Sequence, residues 1–180
     1  MPSIVKKVNL VTLYFQATSL LDKVNTWMPQ LLLRSLLAWE FLESGLEKYH
    51  GKNWFSELQF PFPLSLVSID VSWCLATYFE IFGAIALLIG FATRFFTMSL
   101  MILTIVAILT VHFPEQVYSL ADLLKGYRLV DEDGDGFGNY KLPLIYLIMF
   151  IPLLLGGAGK LSLDAWIKNT YLIFTRNRSR

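Results

Sequence analysis

The chain has 180 residues, of which 55% are hydrophobic, with a mean hydropathy of +0.53, a formal net charge of +1 and one cysteine. So apolar a composition leaves little soluble surface for an ordinary globular domain. A single thiol excludes an internal disulfide, a Cys-x-x-Cys redox pair and cysteine-built zinc or iron–sulfur sites, so Cys74 is read as a small helix-packing residue.

In chain order, residues 1–27 are expected to form an amphipathic interfacial segment. Leu10, Leu13, Ala17, Leu20, Val24 and Met28 recur at helical spacing, opposite Asn9, Thr12, Gln16, Ser19 and Lys23. No cleavable signal peptide is expected, because the stretch after Lys6 and Lys7 is broken by polar residues and lacks a small-residue cleavage site. Residues 28–159 hold four apolar stretches, at 28–47, 73–91, 95–113 and 142–159. Each approaches the ~20 residues that a helix needs to span roughly 30 Å of hydrocarbon. The first carries Arg34, Glu40, Glu43 and Glu47, the second only Glu80, and the last two no charge. One such stretch is equally the core helix of a soluble protein. Four in 180 residues point to an all-α fold, an integral membrane four-helix bundle with amphipathic interfacial helices at both termini. Residues 160–180 form the second of these, a basic cytoplasmic helix and tail, with Ser162 as its expected N-cap and Arg176, Arg178 and Arg180 at its end.

Lysine and arginine placement orients the bundle. The N-terminal segment, the turn after the second stretch and the C-terminal tail together carry +7, whereas the loops at 48–72 and 114–141 together carry −3. Basic residues favour the cytoplasmic side, which puts both termini inside and both long loops outside. Arg34, Arg94 and Lys160 then belong near the inner interface, where their stems can snorkel.

Glu40, Glu43 and Glu47 are spaced by three and four, so they form one helical stripe, expected to face the bundle because ionisable groups against lipid are costly. Glu40 and Glu80 fall at similar depth in the outer half. His112 closes the third helix on that side, and Lys141 opens the fourth. Glu40, Glu43, Glu80 and His112, with Lys48 and Lys141 near, form the candidate polar cluster. Two readings stay open: a proton relay, quinol-facing site or mixed carboxylate–imidazole metal site, or carboxylates that the cations merely neutralise. Trp54, Phe60 and Phe62 either fold back as an aromatic lid over this cluster or belong to an interfacial aromatic belt. Asp131, Asp133 and Asp135, followed by Gly136, match the first half of an EF-hand loop. Position twelve is Leu142 instead of glutamate, so a weak calcium site or a solvated acidic turn is expected there. Along the second helix, Ala76, Gly83 and Gly90 keep one face small for close helix packing. Pro152 is expected to kink the fourth helix, and the glycines at 156, 157 and 159 to end it.

Several of these residues also carry a resemblance. Ser44-Gly45-Leu46-Glu47-Lys48, Glu80-x-x-Gly83, Leu88-Ile89-Gly90-x-x-Thr93-Arg94, His112, and the run from Gly156 to Asp164 stand in the order of the DoxX family, which the chain resembles over about residues 28 to 168. The resemblance implies a small four-helix protein of the bacterial inner (plasma) membrane. It also implies a link to a quinone-coupled oxidoreductase subunit, to oxidative-stress complexes, or to gene clusters that make copper-binding modified peptides. The expected function is a DoxX-like accessory subunit supporting quinone-linked redox or metal homeostasis, with quinone or copper as the cofactor to seek. The alternative is a non-enzymatic anchor, scaffold or export helper for a partner such as a copper-binding peptide. The expected partners are the lipid bilayer, proteins of the same pathway and a further copy of the chain, with no nucleic acid.

Overall fold

A computed structural model describes residues 9–112 and 140–178. Among them the chain is all-helical. The elements are α1 (Leu10–Asn25), α2 (Met28–His50), α3 (Ile69–Ile89), α4 (Thr93–Ala107) running on as a π-helical turn (Ile108–His112), α5 (Lys141–Gly156) and α6 (Leu163–Arg178). Two short 3-10 turns, Phe55–Glu57 and Leu64–Leu66, lie in the loop between α2 and α3.

Local chemistry sets these boundaries. Pro29 occupies the first turn of α2, where its missing donor costs nothing, and the helix runs three residues past the expected 28–47 before Gly51 closes it onto Glu47 O at 2.8 Å. The Ser68 hydroxyl caps Val71 N, which starts α3 four residues before the expected Trp73. Gly90, at φ +71, ends α3 two residues before the expected Phe91. Ser162 Oγ accepts from Ala165 N at 3.1 Å and caps α6 as its sequence position suggested. α5 continues through Pro152 and stops at Gly156, three residues short of the expected 159, where Gly157 takes φ +73.

α2 packs against α3, α3 against α4, α4 against α5, and α5 back against α2. The shared core consists of Leu37 and Phe41 from α2, Ala84 and Leu87 from α3, Leu100 from α4, and Phe150 and Leu153 from α5. Among the described residues two helical segments are long and apolar enough to cross a membrane, Ile69–Ile89 and Thr93–His112; Lys141–Gly156 is apolar but shorter. In the second of the long segments only 17% of the apolar window is buried, so its hydrophobic residues mostly face outward.

One end of this packing is tied by Arg34 and Asp164. Arg34 was expected to snorkel; it is instead 1% exposed, with Nη2 donating to Leu161 O at 2.6 Å. The guanidinium passes beneath the α3–α4 turn, and Gly90 is what leaves it room: a Cβ there would stand 1.8 Å from Nη1. Asp164 accepts from Ala92 N at 2.8 Å and Thr93 N at 2.9 Å, while its own amide donates to Gly90 O at 2.9 Å. Ala92 sits at φ 44, and the carboxylate holds it there. That cap also explains why α4 begins at Thr93, two residues before the expected Phe95.

A double-mutant cycle tests this junction. Gly90→Ala combines the left-handed strain of a φ of +71, about 1–2 kcal/mol, with the collision against Arg34, about 1–3 kcal/mol more. In an Arg34→Ala background only the strain remains, so the same change should cost about 1–2 kcal/mol. Thermal unfolding of the purified variants in detergent measures both; an equal cost of Gly90→Ala in the two backgrounds would mean that Arg34 does not occupy the turn.

Candidate functional site

The site begins with a glycine. A Cβ at Gly45 would stand 2.7 Å from Ile81 Cγ1 and 3.1 Å from Glu80 Cβ, so glycine here lets α2 and α3 meet nearly backbone to backbone. Lys48, almost one turn further along α2, folds back from this contact. Its ammonium donates to Ser44 Oγ at 2.7 Å and to Glu80 Oε2 at 2.8 Å. The ion pair is largely out of solvent, with its side chains 14% and 10% exposed. Toward the N-terminal end of α2 from the same contact, Glu40 accepts a hydrogen bond from Tyr146 Oη of α5.

Above these groups lies a cavity of about 560 Å³. Glu40, Lys48, Glu80 and Tyr146 contribute to its lining, with His112 from the π-helical turn. Its aromatic wall comes from Trp54, Phe55 and Phe60 in the loop and Trp73 on α3. Phe55 is the hub: its ring lies 5.0 Å from Trp73, 5.1 Å from Trp54 and 5.3 Å from Phe60, mostly edge to face. Asn53 pins this loop down. Its Nδ2 donates to Asp70 Oδ1 at 2.9 Å in the first turn of α3, and its Oδ1 accepts from Phe55 N at 3.0 Å. The cavity is therefore an apolar, ring-lined chamber with an ion pair and an imidazole at its polar end.

Glu40, Glu80, Lys48 and His112 thus line one cavity, as do the expected lid residues Trp54 and Phe60. Three expectations read differently. Glu43 is exposed, is absent from the cavity lining and takes a hydrogen bond from Trp39 Nε1 at 3.2 Å, because a stripe spaced by three and four is wider than the seam between two helices. Lys141 opens α5 but does not line the cavity. Phe62, 80% exposed, stands outside the aromatic wall. Asp131, Asp133 and Asp135, with the calcium reading attached to them, lie outside the described residues.

Two contributors escaped the sequence reading: Tyr146 and Asn53. Tyr146 had a signal, since a phenol in an apolar helix needs a hydrogen-bonding partner when buried. Asn53 had none, because loop geometry decides its role. Phe55 falls within the Trp54 to Pro63 stretch expected as the lid, and the structure makes it the hub.

A copper site finds no fit here. Among the described residues no group of three or more His, Cys, Asp or Glu comes together, and Glu80 and Glu40 are already engaged by Lys48 and Tyr146. An aromatic head group suits the chamber better, since flat apolar walls and a few polar atoms at one end are what such a ring needs.

The DoxX family model matches residues 30–113, which run from the first turn of α2 through the aromatic loop, α3 and α4. A Haemophilus influenzae protein described as an uncharacterized protein is 46% identical over 150 residues, covering 82% of this chain and 89% of its own length. No solved structure matches.

Removing one partner of a half-buried ion pair leaves the other charge uncompensated. Lys48→Met should therefore lower stability by about 3–5 kcal/mol, whereas the double change Lys48→Met/Glu80→Leu should recover most of that loss. Detergent melting of both variants measures it. A double variant no more stable than the single would mean that the pair does not govern the stability of this region.

Proposed function

The chain belongs to the DoxX family, a family of membrane proteins. On that premise we propose that it is a multi-pass accessory subunit of the bacterial inner membrane whose outer cavity receives the ring of a quinone-class molecule. The observation that carries the reading is the Lys48–Glu80 pair at the polar end of an aromatic-walled chamber.

In this reading residues 28–159 form the membrane domain, with α2, α3, α4 and α5 as its four spans, flanked by an interfacial segment at 1–27 and a basic cytoplasmic tail at 160–180. Support comes from apolar side chains on outward faces: Phe82 and Leu88 on α3, Phe95 and Ile105 on α4, and Ile148 on α5 are all exposed. Water would penalise each of these faces, and lipid tails remove the penalty. α1 and α6 suit the inner interface, because α6 exposes Trp166, Leu172 and Phe174 beside Lys168, Arg176 and Arg178. The charge split between the loops and the termini supports both ends in the cytoplasm, with the cavity on the outer side.

Within the cavity the rings of Trp54, Phe55 and Trp73 would sandwich or edge a flat head group, and Lys48 and His112 would meet its oxygens. The chain in this role binds and orients the ring away from bulk water. Electron transfer belongs to a partner protein of the same pathway, and the proposal assigns no catalytic step to these residues.

Two measurements test this. In a Cys74→Ser background, Gln59→Cys should react with a membrane-impermeant maleimide on intact spheroplasts and Arg178→Cys only after permeabilisation; the reverse pattern would invert the topology. Decylubiquinone should quench the tryptophan emission of the purified protein saturably, and Trp54→Leu should weaken its apparent affinity about tenfold, or ~1.4 kcal/mol. If quenching never saturates, and Glu80→Gln complements a deletion strain fully, the anchoring or scaffolding role becomes the better account.

A further inference from the structure

The outer face of α2 presents a problem that the cavity does not solve. Leu32, Leu36, Trp39, Glu43, Leu46 and His50 are all exposed and recur at spacings of four, three, four, three and four. They form a continuous seam along the helix, turned away from α3 and α5. Trp39 is 70% exposed, and among the described residues its indole N–H is the one hydrogen-bond donor to the Glu43 carboxylate. Nothing among the described residues packs over this seam.

The inference rests on the spanning reading of α2 given above. Two independent rulers then put Glu43 near the middle of the membrane. Along α2, Met28–His50, the midpoint is Trp39, and Glu43 lies four residues outward, about 6 Å at 1.5 Å per residue. The antiparallel α3 gives the second ruler. Gly45 meets Ile81 at one level and Arg34 meets Gly90 at another, so Glu43, two residues inward of Gly45, lies opposite about Gly83. That level is four residues inward of Phe79, the midpoint of α3, again about 6 Å. The two estimates bracket the centre of a hydrocarbon layer roughly 30 Å thick. A carboxylate at that depth does not face lipid without a partner, and one indole bond leaves most of its acceptor capacity unused.

We propose that this seam is the docking face for a transmembrane helix of another membrane protein, one that carries a lysine or arginine near the bilayer centre opposite Glu43. Charge decides between this occupant and a second copy of the chain. Two copies related by a twofold axis along the membrane normal would bring the same face together at the same depth, setting Glu43 against Glu43. Like charges that close disfavour the contact. A cation supplied by a different helix removes the problem, while leucines on either side of Glu43 provide the apolar packing surface.

The test uses the full chain in lipid vesicles, labelled with a fluorescent donor at Cys74, its single and exposed thiol. The probes are acceptor-labelled polyleucine peptides of about 20 residues, long enough to span the bilayer, with either lysine or leucine at the central position. The lysine peptide should give saturable energy transfer at an apparent affinity about tenfold above that of the leucine peptide. Glu43→Gln should reduce it to the leucine level, while circular dichroism and melting temperature stay those of the parent. Equal transfer from both peptides, or a Glu43→Gln variant that still prefers lysine, overturns the proposal. So does energy transfer between donor- and acceptor-labelled copies of the chain that Glu43→Gln abolishes, since that assigns the seam to self-association. A benzophenone at Leu36→Cys in a Cys74→Ser background that crosslinks to residues 113–139 of its own chain gives the seam an internal occupant and overturns it as well. If a water-soluble maleimide labels Leu36→Cys in membranes, the spanning reading of α2 fails first; the quinone test is unaffected by the peptide results, so the two failures are distinguishable.

Discussion

The close approach of α2 to α3 at Gly45 is the constraint on which the polar arrangement depends. With no side chain between the helices, Ile81 and the Glu80 stem press against the α2 backbone, and the Glu80 carboxylate is carried to within 2.8 Å of Lys48. A larger residue at 45 would separate the helices by a side chain's width. The lysine would lose its carboxylate, and the aromatic loop, whose rings rest on Trp73 of α3, would lose its floor. Packing and electrostatics are therefore one event here: the small residue does not add stability by itself, but it sets the distance at which a charged pair can compensate for its own desolvation.

The opposite end of the bundle uses the same device for a different purpose. Gly90 admits the Arg34 guanidinium under the α3–α4 turn, and Asp164 returns from the start of α6 to cap the turn with both carboxylate oxygens. Three chain segments, α2, the α3–α4 turn and the residues that lead into α6, meet there through hydrogen bonds to backbone atoms. At the end that holds Lys48 and Glu80, side chains satisfy one another across helices and leave a chamber. A closed junction below and an open one above give the helices a fixed frame around a site that a ligand can enter.

Apolar surfaces follow an inside-out logic that both the cavity and the α2 seam depend on. The core holds a modest set of residues, whereas many leucines, isoleucines and phenylalanines face outward. In lipid such surfaces are at no disadvantage, so polar residues become the informative ones. Glu80 and Glu40 find partners within the chain. Glu43 is exposed and, among the described residues, takes one indole N–H. The same stripe of carboxylates on one helix thus divides between an internal chamber and an external face.

Much of this was legible in the sequence. Length, hydropathy and the four apolar stretches sufficed for an all-helical chain, because helix formation and apolar runs are local properties that tertiary contacts only trim at the ends. Ser162 and the glycines after residue 155 were readable as capping and ending positions, since each acts on its own stretch of backbone, and Gly83 as a packing position. Glu80 stood out as a lone charge in an apolar helix. The tertiary structure decided which way each helix is rotated. Periodicity showed that Glu40, Glu43 and Glu47 share a stripe, but only the neighbours of α2 divide that stripe, turning Glu40 toward Tyr146 and Glu43 toward Trp39. Arg34 had the sequence context of a snorkelling cation, and its burial depends on Leu161, 127 positions away. Asp164 capping Ala92 and Thr93 across more than seventy residues is a similar case. Pairings at such separations leave no periodic trace in a single sequence, because either partner alone is an ordinary polar residue until the fold brings the other within reach.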